Sequence, residues 1–148
     1  VSFEEIAQRT ADMPLHIQYV IIANDLYYLK RGGRVSSVAA AAGTLLNIKP
    51  VLSFTNDGKL TVVEKVRGMK KAFAYALSKT EKFKPVEENR MMRIVHTDAE
   101  KDAEELAGMV EKRWGYRPEI SIMGPVIGSH VGPGSVSMIW LTKELRQD

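Results

Sequence analysis

The chain has 148 residues, 45% hydrophobic and 26% charged, with no cysteine and a formal net charge of +3. That length suits one domain with a sizeable core, and zero cysteines exclude disulfides and thiolate metal sites and fit a cytoplasmic protein. No apolar run approaches the ~18 residues of a membrane span, and no signal-peptide pattern opens the chain.

Ser2 followed by Glu5 is a capping-box pattern that opens a helix to about Thr10, broken by Pro14. "IQYVIIAN" (Ile17–Asn24) is a β-branched apolar run and reads as a buried strand. In "DLYYLKRGGR" a short helix carries Leu26 and Leu29 on one face and ends at Gly32 and Gly33. "SSVAAAAGTLLN" reads as a second helix capped by Ser36 or Ser37, with Gly43 marking close approach of another backbone or a ligand. "IKPVLSFTNDGKLTVVEKV" is the clearest hairpin, turning at Asn56-Asp57-Gly58, with Pro50 pointing to a sheet edge or a strand start.

Beyond Arg67-Gly68, Met69, Ala72, Phe73, Ala76 and Leu77 form a helical stripe, followed by a polar linker, "SKTEKFKPVEEN". "RMMRIVHT" is a strand. Thr97 or Asp98 then caps a helix with Ala103, Leu106, Val110 and Trp114 on one stripe, stopping at Gly115. "EISIMGP" is a strand, "GSHVGPGS" (Gly128–Ser135) a glycine-rich loop, and "SVSMIWL" the last strand. The order predicts an α/β fold, a mixed β-sheet sandwiched by helices.

Several chemistries lack their motifs. There is no GxxxxGK[ST] phosphate loop, no GxGxxG after a strand and no GxSxG elbow. His16, His96 and His130 lie far apart, so no metal site is expected, and the first two read as structural. The acidic run "DAEKDAEE" falls mainly on a solvated helix face. Basic residues are densest in "LKRGGR" and "RGMKK" but otherwise spread, which supports nucleic-acid binding only weakly. His130 stands out, because glycines at 128 and 132 let a ligand approach the backbone closely; the plain alternative is a loop histidine bonded to backbone. Arg34 and Arg67 sit before predicted helices, where an anion is favoured, or serve as surface arginines.

The segment from Asp25 to Ala72 resembles the central signature of the DegV family: D-L-x-Y-L-x-x-G-G-R, a small-residue helix, L-x-I-K-P-V-L, a D/N-G turn and K-V-R. "MGPVIGSHVGPGSVSM" resembles its closing G-x-V-I-G-x-H-x-G-P-G segment. The resemblance implies the family's second domain over residues 1–148, with residues 1–15 a helix and linker from the preceding domain, and the N-terminal domain absent from this chain. It implies binding of a long-chain fatty acid between the two domains, with no cofactor. The chain would present the carboxylate to a fatty acid kinase subunit, which makes acyl phosphate for phospholipid synthesis in bacteria. On that reading the protein is not itself an enzyme. His130 would contact the carboxylate, Arg34 and Arg67 would lie near the head group, and Gly128, Ser129, Gly132 and Gly134 would close around it. Ala39, Ala42, Gly43 and Leu46 would line the tail. An exposed apolar face would mark where the N-terminal domain docks, and transient membrane contact is allowed. The competing readings are a small-molecule kinase-like or hydrolytic domain with His130 as general base, and a basic nucleic-acid module.

Overall fold

The computed structural model describes residues 1–24, 26–33, 47–86 and 91–146. Among these, the strands are β1 (Ile17–Ile22), β2 (Ile48–Phe54), β3 (Leu60–Arg67), β4 (Met92–Thr97), β5 (Glu119–Ile122) and β6 (Ser135–Leu141). They form one sheet in the order β3-β2-β1-β6-β4-β5. Only the β4–β5 pair is parallel, so the sheet is mixed, as the sequence order predicts. The helices are α1 (Phe3–Thr10), α2 (Met13–His16), α3 (Tyr27–Arg31), α4 (Met69–Lys82), α5 (Glu100–Trp114) and α6 (Pro125–Val131).

The capping box is present: Ser2 Oγ accepts from the Glu5 amide at 3.2 Å, and Glu5 Oε2 accepts from the Ser2 amide at 2.7 Å. Period-2 alternation sorts β1 between two faces. Val20 and Ile22 point with Ile94, Met138 and Trp140 toward α4 and α5, which contribute Ala72, Phe73, Ala76, Ala103, Leu106 and Val110. Ile21 points the other way and packs with Leu26, Leu29, Leu52, Met123 and Val131. β6 lies between β1 and β4, and five of its seven residues are buried, as a strand covered on both faces requires.

Three local expectations are corrected, and for Pro50 the strand-start alternative is the one that holds. The polar linker after α4 starts later, because the helix runs on through Ser78–Lys82. Thr80 is the reason: it is fully buried, donating to Leu77 O at 2.7 Å and accepting from Trp114 Nε1 at 3.0 Å. Neither Thr97 nor Asp98 caps α5. The cap is Ala99, whose amide donates to His96 Nδ1 at 3.3 Å. Pro50 is near the start of β2, but β2 lies inside the sheet. The Pro50 carbonyl accepts from the Ala23 amide at 3.1 Å, one position beyond the end of β1, so the donor proline lacks falls outside the regular ladder. Finally, Pro14 does not simply break α1; it sits in the first turn of α2.

Candidate functional site

The C-terminal ends of β1, β3, β4 and β5 and the N-terminal ends of β2 and β6 meet at one edge of the sheet. We call it the upper edge. The stretch holding His130 is here, and most of it is not a loop. Pro125 starts α6 with a φ suited to the first helical turn, and the helix runs to Val131, with His130 in its last turn. Gly132 (φ 77°, ψ 176°) ends it, and Gly134 (φ 77°) leads into β6. The irregular part therefore shrinks to Gly132–Gly134. Glycine-poor helix patterns are what periodicity detects; a seven-residue helix containing Gly128 leaves no such trace.

The glycines work by contact. A Cβ on Gly132 would fall inside the Tyr28 ring of α3, and one on Gly32 would lie 2.7 Å from His130 Nδ1. So α3 and α6 touch, each through a glycine facing the other's ring. A Cβ on Gly128 would meet Thr97 Cγ2 at 3.3 Å, and one on Gly134 the Asn24 side chain at 3.1 Å. Thr97 ties the turn: its hydroxyl donates to Gly132 O at 2.5 Å and accepts from the Ser135 amide at 3.1 Å. The Thr97 carbonyl accepts from the Gly134 amide at 2.6 Å.

Between α3 and α6 lies a cavity of about 250 Å³ lined by Tyr28, Arg31, Gly32, Ser129 and His130. The His130 ring is half-buried, and no hydrogen bond engages it among the described residues. The exposed Arg31 guanidinium adds a cation to the rim. Ser129 donates to Val126 O at 2.9 Å within its own helix. An imidazole and a guanidinium converging on one cavity suit an anion.

Of the sequence candidates, His130 and Ser129 line this cavity; Gly132 only abuts its Tyr28 wall, while Gly128 and Gly134 meet Thr97 and Asn24 outside it. Arg67 ends β3 on the same edge but does not line it. Arg34 and the tail candidates Ala39, Ala42, Gly43 and Leu46 lie outside the described residues. Tyr28, Arg31 and Thr97 were missed as site residues. Tyr28 carried a signal, since the crowded glycines of the closing segment need a ring or backbone to approach. Ile122 at the end of β5 and Val126 and Ile127 at the start of α6 are exposed apolar side chains, at 79%, 75% and 58%. Among the described residues there is no group of side chains that could hold a metal ion, and no helix is long and apolar enough to cross a membrane.

A family model described as "Uncharacterised protein, DegV family" matches residues 1–143. The DegV domain-containing protein YqaC of Lactococcus lactis is 37% identical over 137 residues, 93% of this chain and 49% of that protein. A structure described as a fatty acid binding DegV family protein from Streptococcus agalactiae matches with a TM-score of 0.77 at 33% identity, covering 97% of this chain and 51% of that one. The Fatty Acid Kinase B3 protein of Streptococcus pneumoniae, loaded with linoleic acid, matches with a TM-score of 0.79 at 21% identity, over 97% of this chain and 50% of that one. This last likeness is one of fold. The chain spans about half the length of the relatives it matches.

Proposed function

Because the chain belongs to the DegV family, we propose that it binds a long-chain fatty acid, with the carboxylate at the His130 cavity, and presents it to a fatty acid kinase for conversion to acyl phosphate. The observation that carries this is the His130 imidazole, unengaged among the described residues, which shares a cavity with Arg31 and packs against Gly32. A carboxylate leaving water for an apolar site needs such donors, because a buried unpaired charge is prohibitively costly. Burying a sixteen-carbon tail at ~0.8 kcal/mol per methylene gives a gross gain on the order of 10 kcal/mol, enough to keep a ligand through purification.

In this reading Arg34 and Arg67 flank the head group, and Ala39, Ala42, Gly43 and Leu46 line the tail. The chain supplies the second half of a two-domain site, and the exposed Ile122, Val126 and Ile127 receive the N-terminal domain. The protein binds and presents, and the partner kinase transfers the phosphoryl group. A general-base role for His130 is disfavoured, since no carboxylate orients the imidazole among the described residues.

The test is denaturing mass spectrometry of lipid extracted from the purified protein with both domains. A stoichiometric long-chain fatty acid is expected, with melting raised by added oleate. No lipid and unmoved melting would overturn the proposal. His130→Ala should lower acyl-phosphate formation with the partner kinase and ATP; an unchanged rate removes the histidine from the head-group site.

A further inference from the structure

At the opposite, lower edge of the sheet, β1 and β2 part. They pair only at Ile21↔Leu52 and Ile22↔Val51, while β1 pairs with β6 along its whole length. Continuing the antiparallel register would set Gln18 opposite Thr55, but the ladder is not made there. Arg146 fills the gap, its Nη1 donating to Ile17 O at 3.3 Å and its Nη2 to Thr55 O at 2.9 Å. Tyr19 lies against the guanidinium, 5.8 Å from ring centroid to Cζ.

Arg146 is a cation only 8% exposed, and no carboxylate pairs with it among the described residues. A buried charge held by two carbonyl dipoles and one ring face has lost hydration that these neutral partners do not replace. Its Nε is buried and makes no hydrogen bond among the described residues. Gln18 is 5% exposed, and its Nε2 is likewise buried without a partner. Both residues line one cavity of about 100 Å³, together with Ser53, Thr55, Thr61 and Lys79. Among the described residues no acidic side chain lines it, and two cations do. An arginine can only donate, so the ligand that completes its shell must accept, and the net positive lining selects a negative one.

We propose that the gap between β1 and β2 is a binding site for a small oxyanion, toward which Arg146 and Gln18 turn to present Nε and Nε2, both covered until it binds. The His130 cavity and this site share no lining residue and lie at opposite strand ends. A carboxylate and a phosphate share the required chemistry, and the volume admits a group of either kind.

Proton–nitrogen correlation spectra of the arginine Nε–H groups test this on the protein at constant ionic strength. The Arg146 signal is identified by its loss in Arg146→Lys. Titration with inorganic phosphate and, separately, with acetate is compared with chloride. Saturable displacement of that signal is expected, with half-saturation on the order of 1 mM for the better ligand. Gln18→Met should weaken it about tenfold, as one hydrogen bond to a charged group implies, while His130→Ala should leave it unchanged. Tighter phosphate assigns a phosphate ligand and tighter acetate a carboxylate. Drift equal to that in chloride, or a Gln18→Met protein that titrates like the parent, overturns the site. If Arg146→Lys does not fold, the thermal shift by phosphate in the parent and in Gln18→Met decides by the same criterion.

Discussion

The two edges of the sheet solve one problem, closing the ends of a layer of strands, by opposite means. At the upper edge the closure is made of almost nothing: Gly32, Gly128, Gly132 and Gly134 remove side chains so that rings and backbone meet directly. At the lower edge one long side chain, Arg146, reaches into a ladder that has opened and supplies the missing donors. The upper solution leaves the His130 ring in a cavity with no hydrogen bond among the described residues, while the lower one buries a cation. A protein can thus build a site by subtraction or by insertion, and the two fail differently when mutated.

The largest effect should come from subtraction undone. Gly132→Ala places a methyl group inside the Tyr28 ring at a φ and ψ that glycine alone adopts easily. Backbone strain and overpacking together cost roughly 2–5 kcal/mol, read as a lower urea midpoint with unchanged m-value. In a Tyr28→Ala background the steric part should vanish and about 1–3 kcal/mol of backbone cost should remain. A Gly132→Ala protein as stable as the parent would break the contrast between the edges. Insertion undone is next. Arg146→Met leaves Ile17 O and Thr55 O without their donors, for a loss of about 1–3 kcal/mol in the same measurement, partly offset because a poorly compensated charge leaves the interior.

These edges also differ in how far the sequence revealed them. α5 was legible from Ala103, Leu106 and Val110 and from Gly115 in the left-handed conformation, because periodicity and a cap are local. The glycine density around His130 was legible as well, but as room for a ligand to approach the backbone. What approached was not, since Tyr28 lies about a hundred positions away along the chain and only the fold brings α3 to α6. The helical state of Pro125–Val131 was hidden by the glycine within it. Arg146 gave no signal at all. It follows the last strand in a polar tail, and its burial depends on where β1 and β2 separate, a property of register that no run of residues encodes locally.

A smaller effect is expected where the upper edge does depend on a side chain. Thr97→Val removes the hydroxyl that donates to Gly132 O and accepts from the Ser135 amide. The loss should be about 1–2 kcal/mol, with amide exchange at Ser135 accelerated more than at Val20 in the core. Equal acceleration at both would mean that Thr97 serves the whole sheet rather than the turn beside His130.

The smallest effect belongs to the lower edge and is read through pH. Glu144 follows β6 and accepts from the Thr142 hydroxyl, which holds its carboxyl below the ordinary 4.5, helped by its own amide and by Lys84 and Lys143. A folded-state pKa below the unfolded one means that the unfolded chain binds the proton more readily. The contribution is therefore complete above about pH 4.5 and is lost as pH falls through the depressed value. Because the group is largely solvated, the contribution is at most about 0.5 kcal/mol. Glu144→Gln should flatten the acid limb of the stability–pH curve by that amount and leave neutral pH nearly unchanged. A variant whose acid limb matches the parent's would show that the contact is screened away, leaving Arg146 as the polar tie of this edge that matters to stability.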